Sequence, residues 1–290
     1  FDGVHIGHKK IIKKLVKLAN KKKIESTILT FFPHPRMVLQ KESNIKLIDT
    51  LEEKKNLLKK LGVDNLIIHP FSEAFSRLTS LEFCRDFLVN QLQTDTLLIG
   101  YDHHFGHNRE AKSKDLAAMG QTYNFDVHII PAQDISSITV SSTKVRKAIE
   151  SSNFMLVEKF LGRHFELTGI VTKGDGIGRT IDFPTANISV KESYKLIPLN
   201  GVYLVSVKCE DNLFKGMMNI GIRPTINGER QTLEVHIFNF NKDIYNQKLK
   251  ILFIEKIRDE QKFESLDALK KQLVKDKEIS KRSLIKKGLH

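Results

Sequence analysis

The chain has 290 residues, 40% hydrophobic and 28% charged, with 47 Lys and Arg against 34 Asp and Glu for a formal charge of +13. That length suits about two domains and that composition a core-forming chain, which excludes wholesale disorder and a single small module. No apolar run approaches the roughly 18–20 residues of a membrane span, and the first residues lack a secretory pattern, so neither membrane insertion nor signal-driven export is expected.

From residue 1 to about 160, short apolar runs alternate with amphipathic stretches. The pattern predicts strands over Ser26–Phe32, Asn65–His69, Thr96–Gly100 and Phe125–Ile130, and helices over Lys9–Asn20, Leu51–Leu61, Leu81–Gln91 and Asp115–Gln121. Strands separated by helices imply an α/β unit with a mostly parallel sheet, whose ligands sit at the carboxyl ends of the strands. Two further helices are predicted, near Ser142–Ser151 and Phe154–Leu161. Beyond Arg163 the segments become short and alternating, with Gly and Pro between them: Phe165–Thr172, Gly201–Cys209, Leu213–Ile220, Thr232–Phe240 and Lys248–Ile257. In the second of these, Tyr203, Val205, Val207 and Cys209 share one face and Ser206 and Lys208 the other. This half reads as an antiparallel barrel or sandwich. Ser265 is placed to cap a final helix with Leu266, Leu269 and Leu273 on one stripe. The break is expected within residues 151–163, giving domains 1–158 and 159–290.

The lysines run from Lys9 to Lys287 rather than forming one basic arm. Lys13, Lys14, Lys17 and Lys21 to Lys23 interleave with Ile11, Ile12, Leu15, Val16 and Leu18 at helical spacing, as a solvated helix face does. Phosphate-bearing small ligands are the next reading of the charge, and nucleic acid the last. Cys84 and Cys209 lie in separate halves outside any CxxC pattern, so neither a disulfide framework nor a zinc site is indicated and a reducing cytoplasm fits. The chain opens on Phe1 rather than methionine, so a longer sequence is expected upstream.

His5-Ile6-Gly7-His8 follows Phe1-Asp2-Gly3-Val4 and opens an amphipathic helix. Two imidazoles at a helix N-terminus can present N–H groups to an anion alongside free backbone amides. An ordinary cap is the plain alternative. Three more stretches lie where such a sheet places ligands: Thr30 to Pro35 with His34, Gly100 to Gly106 with Asp102, and Val140 to Arg146. In the last, Ser142 and Thr143 start a helix and Arg146 lies one turn on, which suits phosphate oxygens as well as simple capping.

Together these four ordered motifs resemble the nucleotidyltransferase superfamily, and more closely the adenylyltransferase module of bacterial bifunctional FAD synthetases, the riboflavin kinase/FMN adenylyltransferases. The resemblance implies attack by an FMN phosphate oxygen on the α-phosphorus of ATP, with loss of pyrophosphate. It further implies that His5 and His8 stabilise charge on the transferring phosphate. Ser142, Thr143 and Arg146 would hold the ATP phosphates, while His34 and Asp102 orient flavin and nucleotide. Two departures stand out: the strand that leads into Phe-Asp-Gly is missing from the chain, and Ala111 takes the place of a glycine common after Arg109.

In the second half, Gly174-Asp175-Gly176-Ile177-Gly178-Arg179 can wrap phosphate with backbone amides or simply turn the chain. Thr185 and Asn187 of Phe-Pro-Thr-Ala-Asn face one side of an extended segment, where both can serve a magnesium ion or phosphate. Glu234 shares a face with Thr232, His236 and Phe238, opposite Leu233, Val235 and Ile237. With Gly201-Val202-Tyr203 and Asn219 to Thr225, these stretches follow the order of riboflavin kinase. That resemblance implies a six-stranded barrel in which Thr185 and Asn187 bind Mg2+ and ATP phosphates, the glycine loop of Gly174, Gly176, Gly178 and Arg179 wraps ATP, and Glu234 takes the proton of the ribityl hydroxyl of riboflavin. Asp182 replaces a glycine usual before Phe-Pro-Thr, and if that position needs positive φ, Asp is among the better substitutes.

The expected partners are riboflavin, FMN and ATP, with no nucleic acid and no membrane; the oligomeric state is not legible. Two other readings stay open. Aminoacyl-tRNA synthetases also start a helix on His-x-Gly-His, although the second half has no place in them. A binding regulator that keeps the fold without catalysis is the other.

Overall fold

The computed structural model describes the chain apart from residues 41–43, 102–103, 132–139, 175, 226–227 and 290, and apart from the side chains of residues 109, 224–225 and 228–230. Two compact units result. The first comprises Phe1, Gly3–Lys46 and Lys54–Ser141, the second Asp2, Leu47–Glu53 and Ser142–His290.

In the first unit a helix over Ile6–Lys22 starts at His5 and stops at Lys23, whose φ of 58° turns the chain out of the helix. Ile12 and Ala19 are buried while Lys13, Lys14 and Lys17 are exposed, so this lysine-rich stretch is a solvated face over an apolar stripe. Lys22 is the exception, reaching Asp95 at 2.9 Å and Asp126 at 2.5 Å. The four expected strands form as β1 (Thr27–Phe32), β2 (Asn65–Pro70), β3 (Thr96–Gly100) and, after the short antiparallel pair β4 (His104–Phe105) and β5 (Ala111–Lys112), β6 (Asp126–Ile130). β1 pairs with β2 and β3 with β6, both parallel, as two separate pairs rather than one continuous sheet. Val4, Ile12, Ile28 and Leu58 form the core beside the first pair. Phe87, Leu88, Ile99, Phe105 and Leu116 form the core beside the second, and Leu29 of β1 packs against it. The helix predicted over Leu81–Gln91 is wound as a π-helix from Phe83 to Gln91. Its wider turn carries Phe83 and Phe87 stacked at 5.6 Å, with Phe75 and Phe105 around them.

The second unit is a closed six-stranded barrel. β7 (Phe165–Thr172), β8 (Ala186–Ser189), β9 (Gly201–Cys209), β10 (Asn212–Thr225), β11 (Gly228–Ile237) and β12 (Lys248–Arg258) close in the order β10-β11-β8-β7-β12-β9, every pair antiparallel. β7 and β9 have the predicted limits; β10 runs five residues further, to Thr225. Of the two residues expected on the second face of β9, Lys208 is exposed but Ser206 is buried, and on that same face Val202 and Leu204 are buried nearly as fully as Tyr203 and Val205. The reason lies in the C-terminal helix Leu266–Lys286, whose Leu269, Leu273 and Leu284 join a second core outside the barrel with Ile181, Phe183, Val202, Leu204, Met217, Phe238 and Ile254. Ser265 caps this helix as expected, accepting from the Ala268 N–H at 3.2 Å, but Leu266 is exposed. The buried stripe continues instead through Asp276, which takes a two-pronged hydrogen bond from Arg258 of β12 at 2.8–3.0 Å.

Candidate active sites

In the barrel, strand register brings the expected groups together. Asn187 of β8 stands directly opposite Glu234 of β11, which stands opposite Asn219 of β10, and Thr172 of β7 faces Asn187 from the other side. Residues directly opposite on neighbouring strands project to the same face, so Thr172, Asn187, Glu234 and Asn219 form a polar row across four strands. Thr185, one residue ahead of β8, donates its hydroxyl to Glu234 Oε2 at 3.3 Å, and the Arg223 guanidinium lies 3.8 Å from Oε1. Glu234 keeps about a quarter of its side chain exposed, 23%. It therefore meets solvent from a partly enclosed position.

The glycine loop is shaped around this row. Gly176 has φ of 73° and starts the short helix Ile177–Thr180, while Arg179 points to solvent. A Cβ on Gly174 would collide with the Asn187 amide, and one on Gly178 with the Phe183 carbonyl, to which the loop folds back through a Phe183 N–H to Gly178 carbonyl bond of 2.8 Å. Asp182 has φ of 65°, the left-handed conformation that explains a glycine there and an aspartate as its substitute, and its carboxylate pairs with Lys270 at 2.6 Å. Asp175 lies outside the described residues.

Gly174→Ala follows as a local probe, because the colliding atoms belong to the end of a side chain and not to backbone. The protein is expected to keep its melting temperature within about 2 °C. Activity at the barrel site is expected to fall by roughly 10-fold or more, since the displaced Asn187 loses its place in the row. Paired melting curves and initial rates check it.

One residue of the barrel site escaped the sequence reading. His236, assigned only to the face of Glu234, is buried between Phe183 and Phe238, and its Nδ1 donates to the Pro184 carbonyl at 2.9 Å. The strand that carries Glu234 is thereby tied to the segment that carries Thr185. Burial lowers the His236 pKa, so the ring works as a neutral donor.

In the first unit the histidine pair is built as a stack. His5 is the helix cap, its Nδ1 accepting from the His8 backbone N–H at 3.3 Å, and the two rings lie 3.6 Å apart at 18°. Accepting at Nδ1 places the proton of neutral His5 on Nε2. Burial lowers the His5 pKa from 6.5 to about 4. It lowers that of His8 further, helped by the neighbouring His5 and, to a lesser extent, by the charge of Lys54. His8 Nδ1 is buried without a hydrogen-bond partner among the described residues. Lys54 is itself buried, donating to Thr30 Oγ1 at 3.3 Å near the end of β1. Its ammonium adds fixed positive charge beside the imidazoles, which helical periodicity alone assigns to an ordinary polar position. His34 caps the short helix Pro35–Leu39 just beyond β1, its Nδ1 accepting from the Arg36 N–H at 3.2 Å. Asp102 lies outside the described residues.

Ser142, Thr143 and Arg146 belong to the second unit, on the helix Ser142–Glu150. Thr143 is exposed. The Ser142 hydroxyl donates to the Asp2 carbonyl at 2.9 Å, and Arg146 Nη2 donates to the Asp2 carboxylate at 2.6 Å.

The chain thus carries stacked imidazoles on a parallel α/β unit and a carboxylate in a row of neutral oxygens on a barrel, groups whose chemistry suits work on phosphate. The FAD synthetase family model matches residues 1–144 and the riboflavin kinase family model residues 161–284. A bifunctional riboflavin kinase/FMN adenylyltransferase of Buchnera aphidicola is 37% identical over 97% of this chain and 91% of its own length. One of Escherichia coli, of the same name, is 36% identical over 95% and 88%. A solved structure from Streptococcus pneumoniae, described as a macrolide-efflux protein, superposes with a TM-score of 0.86 at 31% identity, covering 97% of this chain and 91% of that one. Among the described residues no helix is long and apolar enough to cross a membrane. The chain belongs to the bifunctional riboflavin kinase/FMN adenylyltransferase family. It is accordingly a two-activity transferase of flavin cofactor synthesis, dependent on ATP.

Proposed function

We propose that the barrel makes FMN with Glu234 as general base and that the α/β motifs then adenylate FMN. The observation that carries the first part is the Thr185–Glu234–Asn187 arrangement, a carboxylate held among neutral oxygens on one face of the barrel. Glu234 accepts the proton as the ribityl hydroxyl of riboflavin attacks the γ-phosphorus of ATP, and ADP leaves. Gly174, Gly176 and Gly178 let the loop approach the ATP phosphates closely, with Arg179 beside them.

A magnesium ion suits this site by the chemistry of its donors. Thr185 Oγ1 and Asn187 Oδ1 are hard neutral oxygens, and among the described residues no group of three His, Cys, Asp or Glu forms a metal cage. Mg2+ prefers a few protein oxygens supplemented by phosphate and water. Bound there, it would neutralise charge on the ATP phosphates.

In the adenylyl transfer, a phosphate oxygen of FMN attacks the α-phosphorus of ATP and pyrophosphate leaves. His5 and His8 act as neutral N–H donors to the charge that develops, Ser142, Thr143 and Arg146 hold ATP phosphates, and His34 and Asp102 orient flavin and nucleotide. The family matches at 1–144 and 161–284 support a boundary between them, with residues 1–158 and 159–290 as the two functional halves. The spread of the lysines and the two free, buried cysteines support a cytoplasmic enzyme of small-molecule substrates, acting on neither nucleic acid nor membrane. Incubation of the full-length protein with riboflavin, ATP and Mg2+ is expected to give FMN first and FAD after a lag, resolved by chromatography over time. FAD without prior FMN, or no flavin product, overturns the reading.

A further inference from the structure

Asp2 lies in the first chemical motif of the chain, yet it belongs to the barrel's unit and not to that of the histidines beside it in sequence. Its side chain is 7% exposed and that of Arg146 13%, so their 2.6 Å ion pair is largely shielded from solvent. Both Asp2 carboxylate oxygens also accept from the Ile48 N–H, at 3.0 and 3.3 Å, and the Asp2 carbonyl accepts from Ser142. One residue therefore holds both Ser142 and Arg146, the first through its main chain and the second through its side chain.

The hydrogen bonds continue beyond Ile48. Its carbonyl accepts from Lys195 Nζ at 2.6 Å, and that fully buried ammonium donates to Glu53 Oε2 at 2.6 Å over the ring of Phe165. Glu53 accepts in turn from the Thr50 N–H and, through its other oxygen, from the Thr168 N–H of β7. Asp49 is held in parallel by Arg163 at 2.5 Å. An unbroken run thus leads from Arg146 through Asp2, Ile48, Lys195 and Glu53 to a strand of the kinase barrel. Buried charges joined this way are costly to separate and keep one geometry.

We infer that Asp2 is a positioning residue for adenylyl transfer, fixing Arg146 and Ser142 in place and itself fixed to the kinase barrel through Ile48 and the Lys195–Glu53 pair. The inference rests on the proposed role of Arg146 at the ATP phosphates. Because the carboxylate offsets the charge of the guanidinium, its contribution is orientation and not attraction. An arginine ordered before ATP arrives spares the reaction the cost of ordering it.

The test is Asp2→Asn in the full-length protein, assayed for FAD formation from supplied FMN and ATP and, separately, for FMN formation from riboflavin. The amide keeps an acceptor for Ile48 but removes the ion pair. We expect kcat for FAD formation to fall by roughly 10–100-fold. The KM for ATP should stay level or drop, because local positive charge has risen, and FMN formation should be unchanged. Arg146→Ala should lower FAD formation as well, and the double variant should be no worse than Arg146→Ala alone. FAD formation by Asp2→Asn within twofold of the parent, or losses that multiply in the double variant, overturn the inference while leaving the Arg146 reading intact. An Arg146→Ala variant with normal FAD formation overturns both. If Asp2→Asn lowers FMN formation too, Asp2→Glu decides: recovery of FAD formation with the carboxylate supports positioning, and no recovery overturns it.

Discussion

Glu234→Gln is expected to reduce FMN formation from riboflavin by about 10²–10⁴-fold while FAD formation from supplied FMN continues at the parent rate. The amide has nearly the same shape as the carboxylate and can still accept from Thr185 at the position where Oε2 now does, 3.3 Å away. What it lacks is the capacity to take a proton and the charge facing Arg223. The barrel should fold as before, since Glu234 is partly exposed and its neighbours Leu233 and Val235, which fill the core, are untouched. Measuring both activities on one preparation separates the sites. Equal loss of both would mean that the halves do not work independently, and full retention of FMN formation would remove Glu234 as the base.

The placement of Glu234 also marks where sequence reading succeeds. Alternation over Phe165–Thr172 and Gly201–Cys209 sets the limits of β7 and β9, because a strand buried on its barrel side shows a period of two and is bounded by turn residues. The neighbouring of Asn187 and Glu234 was legible only through family resemblance. It depends on the register of two strands separated in sequence by β9 and β10, which no local pattern encodes.

Charge was harder to read than hydrophobicity. Lys195, Glu53, Asp2 and Lys54 are all buried, and in sequence they look like the many lysines and acids that face water. A charged residue reveals its burial only through its partner, and Lys195 and Glu53 are 142 residues apart. The outer face of β9 and the burial of His236 were hidden for a related reason. The helix Leu266–Lys286, which packs with Val202 and Leu204 and with the Phe183 and Phe238 that flank His236, comes from the far end of the chain, and its buried stripe passes through Asp276 and Ser280 rather than leucines alone.

His8→Ala should give the reverse of Glu234→Gln: FAD formation from FMN lower by about 10²–10³-fold, FMN formation intact. Removal of the imidazole takes away the neutral donor proposed for the transferring phosphate and also the ring stacked on His5 at 3.6 Å. The second loss has a signature in pH. Folded His5 binds its proton only near pH 4, whereas the unfolded chain binds it near 6.5, so between these values acid favours the unfolded state. Stability is therefore fully present above about pH 6.5 and declines as pH falls towards 4, and the still lower pKa of His8 extends the decline to more acid conditions. Opening the stack to water should raise the His5 pKa and flatten this slope in His8→Ala, which melting curves between pH 7 and pH 4 would record. A slope as steep as the parent's would mean that the histidine pair is not the source of the acid sensitivity. FAD formation unaffected by the substitution would remove His8 from the transfer step.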